Sequence, residues 1–268
     1  MTNFDFGEII KGGYKTWKDN LVLCIPFILG AILSAIVAVI IMLITFFSMF
    51  WPLIETLISD PTSISSTEFL SEIYTTVTSN LISVIAVFTI ISIIVGLIYS
   101  FFYAGATGMA KEAIQTGKTN LSHMMDYGKR KYLNYFFANI ILGLIMLVGF
   151  LFLIPGIISI SSIPLIIGFV IMVPYMLIMS IIFALVGYAI VIDDLPAIEG
   201  VKKALSVFRQ NKLNLFLVWL IVMFLTFLFG LIGVIPIIGG ILSVIVTFLI
   251  VSPLTVIWWS KFYMTVTK

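Results

Sequence analysis

The sequence predicts an all-α, polytopic integral membrane protein: six transmembrane helices forming three pseudo-repeated hairpins, each preceded by an amphipathic segment on the cytoplasmic face. Three observations lead there. Of 268 residues, 62% are hydrophobic and 10% charged, with mean hydropathy +1.25, whereas soluble domains carry roughly 45–50% and about 25%. Uncharged stretches lie at 20–54, 73–110, 132–192 and 213–260, each at least as long as the roughly 20 residues one crossing needs. All 14 Lys and Arg residues fall in segments that six crossings place on one side, the pattern of cytoplasmic loops.

The elements follow in chain order. Residues 4–18 set Phe6, Ile9, Ile10, Gly13, Tyr14 and Trp17 on one stripe at helical spacing, which predicts a helix lying in the interface. It is too amphipathic for a signal-peptide core and reads as retained. Span one is expected at 21–50 and span two at 79–107. Between them, residues 51–78 carry Glu55, Asp60, Glu68 and Glu72 and no base. Ser59-Asp60-Pro61-Thr62 reads there as a turn, while Phe69, Ile73, Val77 and Leu81 read as an amphipathic lead into span two.

The two longest stretches must each fold back, because as single helices at 1.5 Å per residue they would be roughly 90 and 70 Å long. Turn signals stand near their middles: Ile154-Pro155-Gly156 with Ser159, Ser161, Ser162 and Pro164, then Gly233, Ile235-Pro236, Gly239 and Gly240. Spans three to six are therefore expected at 133–154, 164–191, 213–234 and 239–260. A seventh span would turn basic loops outward. Both termini are expected in the cytoplasm of a cell that carries this chain in its cytoplasmic membrane.

A second amphipathic helix is expected from Pro196 to Arg209, with Ile198, Val201, Leu205 and Phe208 on one face. It aligns without a gap on the N-terminal segment: Glu8 with Glu199, Lys11 with Lys202, Trp17 with Phe208, Lys18 with Arg209 and Asn20 with Asn211. Residues 121–131 occupy the equivalent place before span three. The distance from Lys131 to Pro155 equals that from Lys212 to Pro236. These matches divide a single membrane domain, 1–268, into pseudo-repeats at about 4–107, 112–192 and 197–260. At the break between surface helix and span, Asn20 and Asn211 are expected to adopt the left-handed conformation and cap the next helix. Lys11, Lys15, Trp17, Lys18 and Asn20, with Lys202, Lys203, Phe208, Arg209, Asn211 and Lys212, are the candidate contacts to lipid headgroups.

Chemistry is sparse within the spans. They hold no Asp, Glu, Lys, Arg or His, the usual marks of proton relays, voltage sensors and ion-coupled pumps. The single Cys24 and single His123 exclude an intramolecular disulfide and a Cys/His metal cage. Asp193-Asp194, or Asp5 with Glu8, has the chemistry for Mg²⁺, but helix capping and pairing with nearby lysines accounts for these acids equally. No hydrolase or nucleotide-binding motif stands out. No cofactor, no metal and no nucleic-acid partner is expected, and the chain does not read as an enzyme. Pro174 and Pro253 sit at similar depths in the second helix of their units and are the hinge candidates. Ser92, Gly96, Ser100 and Ala104 recur every four residues, a face suited to close packing within the chain or to a homodimer.

Three segments, GEIIKGGYKTWKDN, GMAKEAIQTGKTNLSHMMDYGKRKY and DDLPAIEGVKKALSVFRQNK, resemble the loops of an uncharacterised, mostly archaeal family of six-helix membrane proteins. That family is similar in turn to the membrane domain preceding the catalytic domain of some glycerophosphoryl diester phosphodiesterases. No hydrolase segment accompanies the resemblance here, so no catalytic residue carries over. Twelve lysines against two arginines accord with an AT-rich, archaeal-like genome. The resulting expectation is a non-enzymatic membrane protein that organises lipids or serves as a membrane subunit of a larger assembly. The alternative is a permease or channel for a lipid-like or uncharged solute.

In a Cys24→Ser background, single cysteines at Lys118, Lys203, Lys268 and Ser65 test the topology. An impermeant maleimide added outside is expected to label only position 65; labelling at 203 overturns the six-span arrangement.

Overall fold

The computed structural model describes residues 6–59, 67–236 and 238–267. These are helical throughout, with no strand among the described residues. Twelve α-helices follow one another: α1 Phe6–Asp19, α2 Ile25–Ser59, α3 Thr67–Ser79, α4 Leu81–Thr116, α5 Leu121–Phe150, α6 Ile154–Ser159, α7 Ser162–Ile182, α8 Val186–Ile192, α9 Ala197–Gln210, α10 Lys212–Gly230, α11 Gly239–Val246 and α12 Ser252–Val266. Six helical stretches are long and apolar enough to cross a membrane: Leu21–Ser59, Leu81–Thr116, Leu121–Ser159, Ser162–Ile192, Lys212–Val234 and Gly239–Val266. Only 6–28% of their apolar windows is buried inside the chain. Their outer faces therefore need hydrocarbon, since soluble monomers rarely expose apolar patches beyond a few hundred Å².

Helix boundaries differ from the sequence expectation in three places. Span one does not stop near residue 50, because α2 continues through Pro52 to Ser59. Residues 121–131 form no separate surface helix: Asn120 accepts the His123 amide at 3.2 Å and starts α5, which runs unbroken into span three. Charged residues at helical spacing extend such a helix as readily as they would begin a new one. Span three runs past its expected end at residue 154, and within the expected turn region of 154–164 the reversal comes at Ile160, whose φ is +47°. Pro155 instead occupies the first turn of α6, where its missing N–H is harmless. Gly156 is needed for contact, since a Cβ there would sit 2.4 Å from the Leu165 Cα. Of the turn expected at Ser59-Asp60-Pro61-Thr62, residues 60–62 lie outside the described residues.

The chain divides into two compact units, residues 30–99 and residues 1–29 with 100–268. The smaller holds most of α2, all of α3 and the first half of α4. Met42, Phe46 and Phe50 of α2 and Val84 and Phe88 of α4 line an apolar cleft of about 300 Å³ in it.

In the larger unit the core gathers toward the ends of the helices that carry the charges. Met109, Leu185, Ile190, Leu215, Ile257, Phe262 and Tyr263 are fully buried there. Glycines allow the closest approaches. α1 lies on α12, with Gly13 against Trp258. α9 lies on α8, with Gly200 against Ile190. The first turns of α5 lie on the end of α4, where a Cβ on Gly105 would stand 2.7 Å from the Met124 carbonyl oxygen. Ser100 and Ala104 are also buried in this packing, and the Asn139 amide approaches the Ser100 hydroxyl at 3.5 Å. Ser100 and Ala104 of the small-residue stripe therefore serve the chain's own interior.

Gly105→Ala is expected to destabilise the purified protein by about 1–3 kcal/mol through overpacking. Gly143→Ala, with nothing within 4 Å of its Cβ position, is expected to stabilise by up to about 1 kcal/mol through helix propensity. Unfolding in detergent followed by circular dichroism reads both; equal effects would show that the α4–α5 approach is loose.

Candidate functional site

Helices α1 and α9 end in the same register: adding 191 to Asp19 gives Gln210, and the described part of α1 from Phe6 onward aligns with α9 from Ala197. Their buried positions also match, Ile9 with Gly200 and Gly13 with Ala204. Each is followed by an asparagine of similar backbone, φ −139° and ψ 58° at Asn20, φ −128° and ψ 34° at Asn211. Neither asparagine is left-handed and neither side chain caps the next helix, which corrects the expected conformation. An extended φ with a small positive ψ suffices to break one helix and let the next begin.

The candidate headgroup contacts separate into two groups. Lys11, Lys15, Lys18, Lys202, Arg209 and Lys212 are exposed. Phe208 and Asn211 are half-buried, and Asn211 donates to its own helix at the Val207 carbonyl, 3.3 Å. Lys203 turns toward the Asp193 carboxylate, 3.9 Å away. Asn20 is buried, with 5% exposure. Its amide donates to the carbonyls of Thr16 and Gly117, and its oxygen accepts the Thr119 N–H at 3.0 Å. Inside the chain it joins α1 to the loop after α4, a role that replaces headgroup contact.

Trp17, half-buried, also has a partner within the chain, and Pro253 explains it. Proline has no N–H for the carbonyl four residues earlier, which here belongs to Leu249. The preceding segment, Thr247–Val251, widens into a π-helical turn. The Trp17 indole N–H donates to the Leu249 oxygen at 3.0 Å, and the Cys24 thiol approaches it at 3.1 Å. The other hinge candidate, Pro174, lies within the continuous helix α7; that span is instead interrupted at residues 183–185, between α7 and α8.

A second polar grouping joins α4, α5, the loop after α8, α9 and α12. The Tyr263 hydroxyl donates to the Asp193 carboxylate at 2.5 Å. Lys131, 4% exposed, pairs with Asp194, which Arg130 also approaches at 3.7 Å. Asp194 has φ +61°, a left-handed conformation that aspartate tolerates better than most residues. The Lys111 ammonium donates to the Ile192 carbonyl at 3.0 Å. Glu112 accepts the Tyr127 hydroxyl at 2.8 Å, and Arg130 stacks over that ring at 5.0 Å. The Lys131 hydrogen bond, joined by the nearby charges of Lys131, Arg130 and Lys111, holds the Asp194 carboxyl below the usual carboxylate range. Both acids of the Asp193-Asp194 pair thus face cations and a phenol. Asp5, the other acid weighed for a metal, lies outside the described residues, and no group of three or more Asp, Glu, His or Cys ligands converges among those described.

Lys131 and Tyr263 escaped sequence reading. One is the last of a Lys-Arg-Lys run and the other an aromatic among many, so neither carries a signal before packing selects it.

A family model described as a domain of unknown function, DUF7847, matches residues 29–266. The chain belongs to the DUF7847 family. The DUF7847 match takes in the ion cluster and α9 but begins after α1. No curated protein and no solved structure matches the chain.

Asp194→Asn is expected to lower thermal stability by about 1–3 kcal/mol, because it leaves the Lys131 charge buried without its counter-charge. Asp194→Gly, which relieves any cost of positive φ, is expected not to restore it. The lowered Asp194 pKa adds stability that is complete above the ordinary aspartate value of 3.8 and is lost as pH falls through the lower folded value. Unfolding at pH 5 and pH 3 checks this: the acid-induced loss should be smaller in Asp194→Asn than in the natural chain.

Proposed function

We propose that this DUF7847 protein is a non-enzymatic, multi-pass component of the cytoplasmic membrane that organises lipids at the inner surface. The observation that carries the reading is the pair of 14-residue helices, set in one register, that hold Lys11, Lys15, Lys18, Lys202 and Arg209 exposed. Each basic residue near an anionic surface adds about 1 kcal/mol of attraction. Both termini are inside in this reading, where the basic loops belong. A membrane subunit of a larger assembly would use the same surface for an acidic partner. The resemblance of the loop segments to a mostly archaeal family, and to the membrane domain of some glycerophosphoryl diester phosphodiesterases, supports a membrane module without catalytic machinery of its own.

Within the larger unit the first turns of α5 lie on the end of α4, α9 lies on α8 and α1 lies on α12, which supports reading each of these segments as the start of a pseudo-repeat. The permease alternative draws on the π-helical turn before Pro253, which gives span six a point of bending.

Fluorescence transfer from the tryptophans to pyrene-labelled lipid in reconstituted vesicles tests the proposal. Transfer to phosphatidylglycerol is expected to exceed that to phosphatidylcholine at least twofold, and to lose that excess in 0.5 M salt and in Lys11/Lys15/Lys18→Gln. Equal transfer to both lipids removes the lipid-organising reading. Glycerol flux above that of protein-free vesicles would favour the permease.

A further inference from the structure

We infer that the cleft between α5 and the start of α9 seats one phospholipid molecule, its phosphate at Lys202 and one chain along Phe137 and Ile140. This rests on the lipid reading above and gives it a specific site. The cleft has a volume of about 600 Å³, within the range of ligand pockets. Its chemistry changes along its length. Along α5 its lining passes from polar Asn134 to the apolar walls of Phe137 and Ile140, and α9 adds Glu199, Lys202 and apolar Ile198. Phe137 and Ile198 are 53% and 61% exposed, so those walls are open to an apolar occupant.

The gradient matches a lipid in direction and depth. Asn134 lies three residues after the basic run Lys129-Arg130-Lys131, at the level where span three meets the headgroups. From Asn134 to Ile141, the last lining residue of α5, the helix advances about 10 Å, roughly a third of the hydrocarbon thickness. A ligand lying there has its polar part in the interface and its apolar part in the bilayer. Lys202 has no ion pair among the described residues, whereas Lys203 beside it faces Asp193. The α9 N-terminus, whose Pro196 offers no side-chain cap, adds the positive end of a helix dipole, which also favours the phosphate. Glu199 and Asn134 suit the hydroxyl or ammonium of the headgroup.

The equivalent place under α1 is closed. When Lys131 is aligned with Lys212, Phe137 and Ile140 correspond to Val218 and Ile221, and these meet Phe6, Ile9 and Trp258 around a space of only about 10 Å³. Phe6 stands where α9 has Ala197. A small residue at that position leaves the cleft open.

The full chain, reconstituted in nanodiscs of equal phosphatidylglycerol and phosphatidylethanolamine and released for native mass spectrometry, gives the test. One phospholipid per chain is expected to remain bound. Lys202→Gln should lower its retention about fivefold, the equivalent of the roughly 1 kcal/mol per basic residue used above. Ile198→Trp, at an exposed position, should lower it at least tenfold by filling the cleft, as should Ala197→Phe if that buried substitution folds. Inorganic phosphate at 10 mM should not displace it. No retained lipid, equal retention in Lys202→Gln and Ile198→Trp, or displacement by phosphate would overturn the seated lipid. The surface reading is scored separately: Ile198→Trp should keep the excess pyrene transfer, and Lys11/Lys15/Lys18→Gln should keep the seated lipid.

Discussion

Hydrocarbon offers no partner to a charge or an open backbone carbonyl, and each one left unmatched there costs several kcal/mol. The organisation of this chain follows from that constraint. Charges are kept out of the long apolar stretches of the spans, and the one carbonyl that Pro253 deprives of its donor becomes an attachment point. Because the Leu249 oxygen takes the Trp17 indole and approaches the Cys24 thiol, a helical imperfection in span six holds α1 and the start of span one. Trp258 and Lys261 on α12 add contacts to the same helix, the latter donating to the Glu8 carbonyl at 3.1 Å.

The same constraint explains the ion cluster. Lys131 is a buried cation one turn before the apolar part of span three, and Asp194 follows directly on the end of span four. Bringing them together satisfies the lysine and fixes the relative height of two spans. Tyr263 ties span six to the same loop through Asp193. Asp193 and Asp194 are thereby engaged in joining helices.

Division of labour among the basic residues has a steric origin. Lys202 and Lys203 are neighbours in sequence, yet 100° of helical rotation separates their directions. One faces a loop carboxylate and the other the α5 cleft. Gly13, Gly105 and Gly200 bring the surface segments close enough to the spans for such choices to matter.

Six helices long and apolar enough to cross a membrane, and their boundaries within a few turns, were legible in composition and in the spacing of charges, because the penalty for charge in hydrocarbon acts on each residue regardless of its neighbours. The shared register of α1 and α9 was legible for a similar reason, since amphipathic spacing is local. Local signals failed where two continuations were equally good. The segment 121–131 could open a surface helix or extend span three, and Pro155 could make a turn or begin a helix. Side-chain partnerships were beyond local reading altogether. Asn20 and Trp17 looked like headgroup contacts because polar and aromatic groups at a helix end usually meet the interface. Packing buries Asn20 against a loop about 100 residues away in the chain and gives the Trp17 indole a carbonyl partner 232 residues away. Which lysine is buried and which cleft stays open depends on the sizes of residues meeting across separate helices, and no single stretch of sequence contains that information.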